Sequence, residues 1–395
     1  MIQAIAKLLP FLGWSVLITS LILTGVGLLG MYASEAGLDG PPIQTLRQLG
    51  YLGVGLAGFL LIQIVGYKEI GRWAYPLFGF TLLLLTVLVV ARKISLEPII
   101  QPRRNAYRWV VLGPVNIQVS EYAKVIYILA LAAYLRYRTN YRTLRGLMGP
   151  FVLTLIPLGL ILKEPDLGTS LLLLPILFVM LFVAGAKLKH LLLIFVLGLA
   201  AVPAFYYSPL MSDYQRARIQ ALFRQGEDDQ HWRMNAGYQL NQSKVALGSG
   251  QAFGQGFSEA AFFRHDLLPE EHNDFIFAVV GHQWGFVGCI GVLFCYFIIM
   301  VAGLTIASAT SDALGRLLAV GVCALLFAEV VINVGMTIGL MPVTGMSLPF
   351  ISMGGSGLVS SFLAIGLLAD VGRRQPPDIA PKPFEFTEED EEGRP

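Results

Sequence analysis

The chain alternates long apolar runs with short polar interruptions. Examples are WSVLITSLILTGVGLLGMYA (14–33), LLLLPILFVMLFVAGA (171–186) and VLFCYFIIMVAGLTIA (292–307). A helix needs roughly 20 mainly apolar residues to cross a hydrocarbon core. The spacing predicts ten such spans, at 10–33, 47–67, 70–91, 119–136, 147–163, 168–187, 189–207, 273–304, 315–340 and 347–371. The 273–304 run is too long for one upright helix, so a tilt or an extramembrane turn is expected there. The pattern is that of an all-α, polytopic membrane protein.

Composition agrees with the pattern. Of 395 residues, 55% are hydrophobic and 14% charged, whereas a soluble domain is about a quarter charged. Lys and Arg in the short loops fall mainly on one side, including Lys7, Lys68, Arg72, Arg136, Arg142, Lys187, Arg316 and Arg373. The positive-inside rule then places both termini in the cytoplasm. Two outer segments are long, 92–118 and 208–272. The second carries the helix-like stretches YQRARIQALF and NAGYQLNQSKVALGSGQAFGQGF, so an ordered outer cap is expected. After Arg374 the chain turns proline-rich and acidic, which predicts a disordered cytoplasmic tail over 375–395, dispensable for chemistry.

Several chemistries lose their usual signatures. There is no GxxxxGK[ST] or HExxH, and GVGLLG (25–30) lies mid-span with no strand before it, so it is no nucleotide fingerprint. Cys289, Cys295 and Cys323 sit in apolar runs without metal-ligand spacing and read as core residues. No internal repeat supports a transporter, and no nucleic-acid partner is expected.

Ionisable residues within or beside spans are costly and mark function by default. Glu121 and Lys124 share one helix face just inside the fourth span, which fits either a self-neutralising ion pair or a ligand site. Arg103, Arg104 and Arg108 precede them, interleaved with Tyr107 and Trp109. In LKEPDLGTS (162–170), Asp166 is placed to cap a helix, but capping leaves Lys163 and Glu164 unexplained. In LLPEEHNDFIFA (267–278), Asn273 or Asp274 could cap, yet Glu270, Glu271 and His272 exceed what capping requires. The prolines, glycines and hydroxyls of LMPVTGMSLPFISMGGSGL (340–358) break the helix pattern. Non-helical backbone at membrane depth survives only against protein or a water-filled cavity. Four such stretches on one side predict an outward-facing polar cavity, with cations suited to phosphate and carboxylates suited to general-base work.

In order along the chain, RWVVLG…IQVSEYAK, EPDLGTS, YQRARI, GYQLNQSKVALGSGQAFGQGF, LPEEHNDFIFA and PVTGMSLPFIS-GGSGL resemble the SEDS (shape, elongation, division and sporulation) proteins. The likeness covers all but the tail, and the short N-terminus leans towards the RodA branch over FtsW. QVSE, FISMGGSG and GHQWGF depart from the family's usual QPSE, FISYGGSS and G-EELGF. The resemblance implies ten transmembrane helices in the bacterial inner membrane and polymerisation of lipid II into glycan strands. The implied partner is a class B penicillin-binding protein transpeptidase. Asp274 is the implied catalytic base, accepting the acceptor hydroxyl's proton as undecaprenyl pyrophosphate leaves, and Lys124 is expected to keep it ionised. Candidate substrate-binding residues are Arg108, Glu121, Lys124, Asp166, Arg216, Arg218, Gln239, Gln242, His272, Ser352 and Ser356. No cofactor is required by the resemblance, though a divalent cation, Mg or Mn, is compatible with it. The rival readings are a lipid-linked precursor flippase and a non-catalytic scaffold.

Overall fold

The computed structural model describes residues 2–35, 41–91, 108–112, 115–138, 140–164, 166–208, 211, 213–225, 237–256 and 274–374. Its helices in chain order begin with α1 (Ile2–Glu35), α2 (Ile43–Val65), the short α3 (Tyr67–Arg72) and α4 (Ala74–Ala91). A hairpin of β1 (Trp109–Leu112) and β2 (Val115–Gln118) leads into α5 (Val119–Leu135). Then come α6 (Leu144–Lys163), α7 (Leu167–Ala184), α8 (Leu188–Tyr207), α9 (Asp213–Phe223) and α10 (Tyr238–Ser249). The chain closes with α11 (Ile276–Ala309), α12 (Ala313–Ile338) and α13 (Gly355–Arg373). Among the described residues, nine helices are long and apolar enough to cross a membrane. α5, at 17 residues, is shorter but lies almost wholly buried among them. Among the described residues, the hairpin is the one exception to an all-α fold. Its strands pair antiparallel, Trp109 opposite Gln118 and the β-branched Val110 opposite Ile117, as suits a pleated surface.

α5, α12 and α13 form the core, and α8 the periphery, where Leu191 is the only buried side chain among its described residues. The close packing rests on small residues, as expected where lipid offers no hydrophobic drive between helices. α13 lies along α2, where a Cβ on Gly55 would meet the Phe362 ring at 3.0 Å and one on Gly366 would meet Phe59 Cα at 3.4 Å. Asp370, fully buried, pins the far end of this pair. It accepts from Tyr67 N at 2.7 Å and from Arg374 Nε at 2.9 Å.

The predicted span 347–371 is shortened, because 340–354 is irregular and helix resumes at Gly355. Positive φ at Gly339, Gly345 and Phe350 turns this stretch back into the bundle. The buried Phe350 ring meets Phe362 edge-on at 5.5 Å. Ser352 Oγ accepts from Leu348 N at 2.7 Å, which locks the turn.

α11 is broken at Gly285 (φ 67, ψ −161), dividing the 34-residue run into two helical pieces. The groups freed at the break are taken up by the segment after α10. Gln255 N and Gly256 N donate to the His282 and Gln283 carbonyls at 2.9 and 3.1 Å, while Phe286 N and Val287 N donate to the Gln251 and Ala252 carbonyls at 2.9 and 3.1 Å. Glycine permits this approach. A Cβ on Gly250 would lie 1.9 Å from Gly281 O, and one on Gly254 2.2 Å from Gln283 O. The overlong run is thus resolved by a break with its own backbone clasp.

Candidate active site

Residues 344–346 form a strip with functional groups on both flanks. On one flank, a Cβ on Gly345 would lie 3.2 Å from Asp274 Oδ2 and 3.4 Å from Arg218 Nη1, so carboxylate and guanidinium converge over that glycine. Gly345 has φ +75, which suits glycine in both conformation and space. Asn333 holds the arrangement from α12, its Nδ2 donating to Asp274 O at 2.9 Å and to Met346 O at 2.6 Å. The N-cap of α11 is Phe275, with no side-chain cap, rather than Asn273 or Asp274. Its side chain is half-buried.

On the other flank, the start of α7 presses on the same strip, a Cβ on Gly168 lying 3.3 Å from Thr344 O. Here Asp166 does cap its helix, accepting from Thr169 N at 3.2 Å. Its Oδ2 also accepts from Thr169 Oγ1, Gln118 Nε2 and Ser120 Oγ at 3.0–3.3 Å. Arg108 spans the turn, with Nε 2.6 Å from Glu164 O and Nη1 4.0 Å from Asp166 Oδ2. Glu164 is buried, and neither of its carboxylate oxygens has a hydrogen-bond partner among the described residues. Burial pushes its carboxyl up to about 8, the Asp166 carboxylate adding to this and Arg108 opposing it.

Beneath the strip, Lys124 Nζ lies 2.8 Å from Glu121 Oε2 and 2.5 Å from Glu329 Oε1. Ser360 Oγ donates to Glu121 Oε2 at 3.4 Å. One ammonium faces two carboxylates, so Lys124 has no uncompensated charge to offer Asp274 or a diphosphate. The cation set beside Asp274 is Arg218, not Lys124. Glu329 was not anticipated, although an ionisable residue in LLFAEVVINVGM carries the same signal as the others. Asn333, four residues on, was missed in the same run.

The remaining candidates separate. Arg216 anchors α9 to the end of α8 through the Tyr206 and Ser208 carbonyls at 3.1 and 2.7 Å. Ser356 Oγ accepts from Gln118 N at 2.8 Å and ties the hairpin to α13. Ser352, as described, holds its own turn. Gln239 and Gln242 are half-buried on α10. His272, Arg103, Arg104 and the tail lie outside the described residues. Among the described residues no group of three His, Cys, Asp or Glu is placed to hold a metal ion.

The comparisons decide the family. The model of the FtsW/RodA/SpoVE cell-cycle proteins matches residues 8–376. This chain belongs to that family. A probable peptidoglycan glycosyltransferase FtsW of Trichlorobacter lovleyi is 37% identical, over 82% of each chain. The peptidoglycan glycosyltransferase RodA of Treponema pallidum is 31% identical, over 91% of this chain and 97% of the relative. Solved relatives include a chain of a peptidoglycan synthase complex that coordinates polymerization and crosslinking, at TM-score 0.75 and 30% identity over 91% of this chain and 97% of that one. RodA of Thermus thermophilus superposes at TM-score 0.66 with 30% identity, over 91% and 96%. The FtsW/RodA/SpoVE chain described here is accordingly a multi-pass membrane protein, and its relatives fall in both the FtsW and RodA branches.

Proposed function

We propose that this peptidoglycan glycosyltransferase polymerises lipid II with Asp274 as general base. Asp274 accepts the proton of the acceptor sugar's 4-hydroxyl as that oxygen attacks the anomeric carbon of the donor, and undecaprenyl pyrophosphate leaves with inversion. The observation that carries this reading is the convergence of the Asp274 carboxylate and the Arg218 guanidinium over Gly345. A carboxylate at the head of α11, its backbone held by Asn333, can take a proton without moving. Arg218, beside Asp274, and Arg108, beside Asp166, are the cations placed to meet the leaving diphosphate. Preorganised donors of this kind stabilise developing charge where water is excluded.

A divalent cation, if bound, would draw on Asp274 and on substrate oxygens and would add charge at the diphosphate. The Asp274 end of the bundle is read as facing outward, in the bacterial inner membrane, with a class B penicillin-binding protein as partner. The experiment is purified protein with lipid II in vesicles. Glycan polymer is expected, and translocation without polymer, or neither, would turn the reading to a flippase or a scaffold.

A further inference from the structure

The break in α11 leaves a cavity of about 360 Å³ on the surface of the bundle. Leu247 of α10, Phe277, Phe286, Ile290 and Leu293 of α11, and Val334 of α12 are among its lining residues. Its lower wall faces the bilayer, for Phe286 is 66% exposed and Ile290 50% exposed on a helix apolar enough to span a membrane. Its upper end lies under α10 at Phe277, less than one helical turn from Asp274. A broken helix at this depth would ordinarily show bare N–H and C=O groups to whatever fills the space. Here the 251–256 clasp has taken the His282 and Gln283 carbonyls and the Phe286 and Val287 amides. The result is a mainly apolar groove, open to lipid at one end and with Phe277, three residues from Asp274, at the other.

We infer that this groove receives the polyprenyl chain of a lipid-linked substrate. The inference rests on the proposed reaction. A substrate whose head reacts at Asp274 must pass its tail from that carboxylate into hydrocarbon, and the groove begins at Phe277, within one helical turn of it, and opens to lipid. Burial of each methylene is worth about 0.8 kcal/mol, so even a short length of chain held there contributes to affinity. A phospholipid has no head group held at Asp274, and its acyl chains would occupy the groove only by chance.

Two measurements test this on the full-length protein in nanodiscs. The first places p-benzoylphenylalanine at Ile290 in phosphatidylglycerol discs containing undecaprenyl phosphate. The expected result is a polyprenyl adduct enriched well above its mole fraction. Adducts in proportion to mole fraction would overturn the assignment, and this readout needs no catalysis. The second compares substrates with long and truncated prenyl tails. Filling the groove with Ile290→Trp and Leu293→Trp should reduce the preference for the long tail, measured as the ratio of kcat/KM values, by about tenfold. Leu304→Trp, on the lipid face of the same helix beyond the groove, should leave that preference in place. An equal preference in groove-filled and parent proteins would refute the proposal. Enriched crosslinking without polymer from either substrate would uphold the groove and reject the polymerase reading.

Discussion

Lys124 Nζ lies 2.5 Å from Glu329 Oε1, which joins α5 to α12 at the centre of the bundle, with Glu121 closing the group from the next turn of α5. All three residues are at least nine-tenths buried. Removing the ammonium leaves two uncompensated carboxylates in a dry interior. Lys124→Met should therefore cost about 3–5 kcal/mol of stability, read as a large fall in Tm in detergent. Adding Glu329→Gln to that variant should restore part of the loss. A fall in activity with unchanged Tm would instead point to direct substrate contact.

Asp274→Asn keeps the shape and the Asn333 contact but removes the base. Polymerisation should fall roughly 10²–10⁴-fold while Tm and the thermal profile stay near those of the parent. Retained polymerisation in a folded Asp274→Asn protein would end the catalytic assignment.

The two arginines of α9 should behave differently. Arg218→Ala removes the cation beside Asp274 and should lower kcat by at least about tenfold. Arg216→Ala unfastens α9 from α8 and should appear first as faster proteolysis of 213–225. Equal effects of both variants on kcat alone would mean that Arg218 has no special relation to Asp274.

Glu164 gives the protein a pH dependence with a definite sign. Its folded-state value, about 8, lies above the ordinary 4.5. The folded chain therefore holds a proton there that the unfolded chain has released. Stability from this site is present below about pH 4.5 and is lost as pH rises towards 8. Glu164→Gln should flatten the fall in Tm across that window. A parallel decline in parent and variant would show that Glu164 is not responsible.

The clasp makes a sharp distinction between neighbouring glycines. Gly254→Ala drives a methyl into Gln283 O and opposes φ +85. Gly248→Ala meets nothing within 4 Å. Hydrogen exchange at the Phe286 and Val287 amides should rise at least about tenfold in the first variant and stay at the parent level in the second.

Much of the bundle is legible in the chain because apolar runs of membrane length leave a helix few alternatives. The Asp166 cap and the Glu121–Lys124 pair are equally local, separated by one turn or less. What could not be read is pairing across the bundle. The spacing of Glu121 and Lys124 says nothing of Glu329, which lies 205 residues beyond Lys124. The Trp109–Gln118 hairpin was hidden by aromatics and arginines that read equally well as an interfacial segment. Gly285 looked like any other small residue in an apolar run, since the segment that satisfies its neighbours lies thirty residues upstream.

That distance along the chain bears on how the enzyme comes into being. The lower part of α11 is apolar and can enter the bilayer as a rod as soon as it is made. Its upper part, with Asp274 at the head, is set against the lower part by the hydrogen bonds of 251–256 across the break. The direction of that upper part is thus written in a segment outside the span itself, and the hydrophobicity that inserts the helix does not aim it.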